Sequence, residues 1–96
     1  MLDKQQTRQL RALAHNRKPV VIIGAQGLTP AVLAELDNAL SHHELIKVRV
    51  NAEDREARDT CIGHMLAELG AELVQRVGHI ATLFRRNPQK PRIVLS

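Results

Sequence analysis

The sequence predicts an α/β domain with elements in the order α-β-α-β-α-β-β, and three observations predict it. A β-branched run, Val20-Val21-Ile22-Ile23, and an alternating segment, Glu44 to Val50, stand either side of one amphipathic stretch of helical length. That is the spacing of a β-α-β unit, whose strands are parallel and whose crossover is right-handed. Two further short strand-like runs, about 72–77 and 80–85, meet at Gly78-His79, where glycine can take the first central position of a tight hairpin turn. Finally, 96 residues with 44% hydrophobic and 25% charged content make one domain with a modest core.

Taken in order, Asp3 can cap a helix running to about His15. Leu10, Leu13 and Ala14 lie on one side of it, and Lys4, Arg8, Arg11 and His15 form a basic stripe on another. Arg17-Lys18-Pro19 ends that helix. The run Val20 to Ile23 lacks alternation and suits a strand buried on both faces. Thr29 reads as an N-cap and Pro30 as the first residue of a second helix, which carries Val32, Leu33, Leu36 and Leu40 on one face to about Ser41. In the next strand Ile46, Val48 and Val50 point one way and Lys47 and Arg49 the other. A third helix, about Asp54 to Leu69, places Ala57, Cys61, Ile62, Met65, Leu66 and Leu69 along one side and stops at Gly70. Residues 87–96 contain Pro88 and Pro91 and read as a basic tail or a short edge strand at Arg92–Leu95.

The charge balance is +4, and it is unevenly spread. Residues 1–24 and 79–96 are each net +4, whereas 25–78 is net −4, so folding can gather the two basic ends into one cationic surface. No run approaches the ~18 apolar residues of a membrane span, and Met1-Leu2-Asp3-Lys4 does not open a secretion signal, so a cytoplasmic protein is expected. The lone Cys61 agrees with a reducing compartment. With Phe84 as the only aromatic of the Phe, Tyr and Trp class, a nucleic-acid partner could not be held on a platform of stacked rings.

The strongest candidate site is Gly24-Ala25-Gln26-Gly27, followed by Leu28 and Thr29 at the start of a helix. Glycines let main chain approach a ligand closely, and a helix N-terminus offers unpaired N–H groups to phosphate oxygens. The spacing fits neither a dinucleotide fingerprint nor a P-loop, so no cofactor is expected. Two glycines in a strand-to-helix turn are, on their own, more often turn geometry. Paired glycines between structured elements also clamp nucleic-acid backbone, as in the KH module. Lys18 and the stripe with Arg8 and Arg11 could supply the charge around such a loop; a charge run is otherwise a solvated face. His42 and His43 are adjacent, so their side chains diverge, and no metal is expected. No general acid, base and nucleophile share a recognisable spacing, so no enzyme is expected.

Four fragments in order, Lys18-Pro19-Val20-Val21, Ile23 to Thr29, His43 to Val48 and Leu83-Phe84-Arg85, resemble the CRM domain (chloroplast RNA splicing and ribosome maturation) in its single-domain bacterial YhbY form. The likeness covers roughly residues 2 to 86, which makes 1–86 the domain and 87–96 its tail. The resemblance implies a four-stranded mixed sheet with three helices, similar to the C-terminal domain of translation initiation factor 3. It also implies RNA binding through the Gly-x-x-Gly loop and association with ribosomal RNA in precursors of the large ribosomal subunit. Lys47 and Arg85 match positions that are commonly basic in the family, whereas Ala25 and Gln26 stand where other members carry a basic residue. The site expected is thus Gly24, Ala25, Gln26, Gly27, Leu28 and Thr29, with Lys18, Arg8, Arg11, Lys47 and Arg85 attracting the polyanion. A monomer is the favoured state. The alternative is a protein-interaction module that docks an acidic partner, with the loop purely structural.

Overall fold

Asp3 starts the first helix by chemistry visible in the chain. Its carboxylate accepts the Gln6 amide at 2.7 Å while the Gln6 side chain accepts the Asp3 amide at 3.2 Å, a reciprocal capping box. A computed structural model describes residues 2–95. Its elements follow the predicted order: α1 (Lys4–Ala14), β1 (Pro19–Ile23), α2 (Pro30–His43), β2 (Leu45–Val50), α3 (Arg55–Leu69), β3 (Glu72–Val77) and β4 (Ile80–Phe84). Thr29 caps α2, Asp54 caps α3, and Gly70 ends α3 in the left-handed conformation that glycine adopts without strain.

The four strands form one mixed sheet in the order β1-β2-β4-β3. β1 runs parallel to β2, while β4 is antiparallel to both β2 and β3. Helices α2 and α3 cover one face. Leu36, Leu40, Ile62, Met65 and Leu69 pack there on Val21, Ile23, Ile46, Val48, Val50, Ala81 and Leu83. Helix α1 covers part of the opposite face, where Leu10 and Ala14 meet Leu45, Val74 and Phe84 in a second, smaller core. Among the described residues no helix is long and apolar enough to cross a membrane.

One expectation is corrected. β1 is not buried on both faces: it is an edge strand in which Val21 and Ile23 are buried while Val20 and Ile22 are 48% and 62% exposed. An unalternating β-branched run marks a good strand, but it cannot tell a central strand from an edge. Residues 87–95 form no strand; that segment is irregular, and its Ile93 inserts into the smaller core.

The tail is held there by Glu44. This residue ends α2 with φ +61°, a left-handed conformation rare for a side chain of this size, and it is fully buried. Its carboxylate accepts the amides of Asn87 (2.6 Å), Arg92 (2.6 Å) and Ile93 (2.9 Å) and faces the Arg86 guanidinium at 3.2 Å. Burial alone would raise its pKa, but the three amides and Arg86 outweigh it and hold the carboxyl below its ordinary value of 4.5. Because the folded value is depressed, the stabilisation is complete above 4.5 and is lost as pH falls through the folded value. Glu44→Gln should cost about 2 kcal/mol in urea unfolding at pH 7, the scale of lost charge-assisted hydrogen bonds. The gap from the parent should narrow as both are titrated into acid.

Candidate nucleic-acid interface

The glycine loop is shaped by three backbone facts. Ile23 is the last residue tied to the sheet, its carbonyl accepting the Asn51 amide at 3.0 Å. The Gly27 amide then donates to the Gly24 carbonyl at 3.0 Å and the Thr29 amide to the Gly27 carbonyl at 3.1 Å, closing a tight turn. Gly27 has φ +69°, which explains a glycine at that position. Leu28 turns inward against the larger core, and the Thr29 hydroxyl accepts the Val32 amide at 3.2 Å. These two residues anchor the loop. Gly24, Ala25 and Gln26 are exposed, and the amides of Ala25, Gln26 and Leu28 have no acceptor among the described residues. A Cβ built on Gly24 or Gly27 would meet nothing within 4 Å, so main chain lies open to solvent.

The loop has two unlike flanks. Toward α3 it borders a shallow depression of about 570 Å³, lined in part by Asn51, Glu53 and Cys61, and an adjoining one reaches Asp54, Glu56 and His64. That flank is acidic. Cationic neighbours therefore do not ring the loop as the sequence led us to expect, because the acids that favour the N-terminus of α3 crowd one side of it. Burial pushes the Cys61 thiol above its ordinary 9.0, which keeps it a thiol, not a thiolate nucleophile, at neutral pH.

The expected cations gather elsewhere. Lys18 precedes β1 and Gly24 follows it, so the two stand about 20 Å apart at the ordinary rise of a strand. Lys47 is in register with Pro19, and its Nζ lies 3.5 Å from the His15 carbonyl at the end of α1. Arg8 and Arg11 are exposed on α1. Lys18 and Lys47 thus stand together where α1 meets the sheet, at the end of β1 far from the loop, and Arg8 and Arg11 continue along that helix. Arg85 is not with them. Its guanidinium donates to the Asp37 carboxylate (2.7 Å), the Asp37 carbonyl (3.0 Å), the Ser41 hydroxyl (3.0 Å) and the Leu69 carbonyl (3.0 Å), tying α2 to the end of α3 on the other side of the sheet.

Some cations are ion-paired and others are not. Among the described residues Arg55 and Arg76 pair with Asp59, Arg85 with Asp37 and Arg86 with Glu44. No carboxylate of the described residues lies within pairing distance of Lys4, Arg8, Arg11, Lys18, Lys47 or Arg49, all on or beside the face that α1 shares. Arg49 was not singled out from the sequence. It sits in register with Ile22, two residues before the loop, with its Nε donating to the Asn51 side chain at 3.0 Å. The alternation of β2 places it with Lys47 on the basic face of the strand, though not among the expected site residues.

The CRS1 / YhbY (CRM) domain family model matches residues 2–85. The chain belongs to the CRM family. This CRM domain is 49% identical over 84 residues to a Haemophilus influenzae protein named "RNA-binding protein", covering 88% of this chain and 85% of that one. It is 41% identical over 95 residues to the "Probable RNA-binding protein PA4753" of Pseudomonas aeruginosa, covering 99% and 90%. Its fold matches the solution structure of the hypothetical protein SAV1595 from Staphylococcus aureus with a TM-score of 0.84 at 31% identity, over the whole of both chains.

In this CRM domain the contrast between Arg85 and the α1 arginines is measurable. Arg85→Ala should cost about 1–3 kcal/mol in denaturant unfolding, because it removes the guanidinium that ties Asp37 and Ser41 of α2 to the Leu69 carbonyl at the end of α3. Arg8→Ala and Arg11→Ala should leave the unfolding midpoint within error of the parent.

Proposed function

We propose that this CRM domain is a non-catalytic, cytoplasmic RNA-binding protein that acts on ribosomal RNA in precursors of the large ribosomal subunit. The observation that carries the reading is a set of solvent-accessible bases on one side: among the described residues Lys4, Arg8 and Arg11 of α1, Lys18 before β1, and Lys47 and Arg49 of β2 have no carboxylate partner. Unpaired cations on one face release condensed counter-ions from a polyanion and need no aromatic platform. The names of the curated relatives support RNA as the partner. The ribosomal assignment rests on the family resemblance.

In this mechanism the free amides of Ala25, Gln26 and Leu28 meet phosphate on the flank of the loop away from Glu53, Asp54 and Glu56. Lys18, Arg8, Arg11 and Lys47 hold the backbone farther along. Gly24, Gly27 and Thr29 shape the loop, and Arg85 serves the fold. Nothing around the loop supplies an activated nucleophile: its exposed residues are Gly24, Ala25 and Gln26, and the nearby cysteine is held protonated.

Binding to a ribosomal RNA fragment should weaken with salt at a log–log slope of roughly −3 to −5, as four to six phosphate contacts require. A salt-insensitive affinity would overturn the proposal. Gly27→Asp would mix charge with the strain of φ +69°, so the cleaner variant is Gly24→Asp, which has open space and no left-handed backbone. It should lower RNA affinity about tenfold with the melting temperature unchanged; equal affinity would remove the loop from the mechanism. Crosslinking in cells should recover ribosomal precursor RNA. A partner protein retained after ribonuclease would favour docking to an acidic protein instead.

A further inference from the structure

The loop and the cations of α1 lie at opposite ends of β1, and what joins them is the part of the sheet that α1 leaves bare. The strand registers define that surface. Ile22 of β1 pairs with Arg49 of β2, Arg49 with Ile80 of β4, and Ile80 with Val77 of β3. Directly opposed residues share a face, so these four side chains form one row across all four strands, about 14 Å from edge to edge at the usual strand spacing. Both ends of the row are open: Ile22 is 62% exposed and Val77 63%. Ile80 is half-buried, and Arg49 is exposed with no carboxylate partner among the described residues. Toward α1, the next row contains Lys47 opposite Thr82. Beyond it, Leu45 and Phe84 are covered by α1.

We infer that this row is a contact surface for unpaired RNA nucleotides, continuous with the glycine loop; the inference rests on the proposed RNA binding and deepens it. Charge complementarity selects the occupant. The row sets apolar side chains around one guanidinium that has no carboxylate partner among the described residues, with Lys47 beside it and the first free loop amide, that of Ala25, three residues beyond Ile22. An unpaired strand offers both halves of that chemistry, apolar base faces and phosphates. A duplex offers phosphates only, because its base faces are stacked inside, and Ile22 and Val77 would remain uncovered beneath it. Every base has such a face, so the contact would be tolerant of sequence. Arg49 can hold a phosphate, and its planar guanidinium can also lie flat on a base, a contact that the ammonium of lysine does not make.

The test compares an unstructured twelve-nucleotide RNA with a blunt RNA duplex, binding each to the full chain at fixed salt. Ile22→Thr combined with Val77→Thr keeps the β-branched side chains that the strands favour while removing apolar surface. Together they should weaken binding of the unstructured RNA about fivefold and leave the duplex within twofold. Arg49→Gln should weaken the unstructured RNA by a similar factor, with an unchanged melting temperature. Equal losses on both RNAs, or no loss on either, would overturn the inference. So would a ribonuclease-resistant protein partner released by the same variants. If Gly24→Asp weakens RNA binding while the row variants do not, this inference fails alone; if the parent binds neither RNA, the proposed function fails with it.

Discussion

The fold depends on a carboxylate that solvent cannot reach. Glu44 terminates α2, opens β2 through its neighbour Leu45, receives the Arg85 amide on its own carbonyl at 2.8 Å, and collects three amides of the tail on its side chain. An isolated buried charge would cost several kcal/mol; here the amides and Arg86 outweigh the cost of burial. Its reach is longer than its contacts. By holding Ile93 in the smaller core it completes the apolar seat on which Leu10 and Ala14 fix α1, and α1 carries the bases that the proposed function needs. A residue inside the protein thus governs a charge pattern outside it, with no part in binding itself.

The two faces of the sheet do different work. The face under α2 and α3 is closed by aliphatic packing; Leu28 against that core and the Asn51 amide on the Ile23 carbonyl fix where the glycine loop leaves β1. The other face is covered only at one end. This division follows from size: a chain of 96 residues with three helices cannot cover both faces of a four-stranded sheet, so some strand surface stays in water. Where it does, the side chains are a mixture of aliphatic and cationic groups, not the polar set expected of an idle surface.

Much of this was legible in the sequence, and the reasons are local. Helix starts were readable because Asp3, Thr29 and Asp54 have the side chains that cap, and Gly70 and Gly78 stand where the backbone turns left-handed. The glycine loop was found because glycine spacing and the following cap lie within a few residues. What was missed is non-local. The edge position of β1 depends on sheet order, which its own residues do not encode. The internal role of Arg85 depends on Asp37 and Ser41, more than forty positions away, and the acidic flank of the loop depends on α3 folding back beside it. Glu44 gave no signal at all, since an acidic residue after two histidines at a helix end reads as surface.

With Glu53, Asp54 and Glu56 gathered at the start of α3 and the exposed bases of α1 without a carboxylate partner among the described residues, the molecule has an electric dipole as well as a net charge of +4. In the field of a polyanion that dipole exerts a torque. The domain would therefore rotate its α1 side toward the target while still separated from it by about a Debye length, some 8–10 Å in physiological salt. Fewer collisions would then arrive with the acidic flank first, and the docking geometry would be partly selected before any atom of the two partners touches.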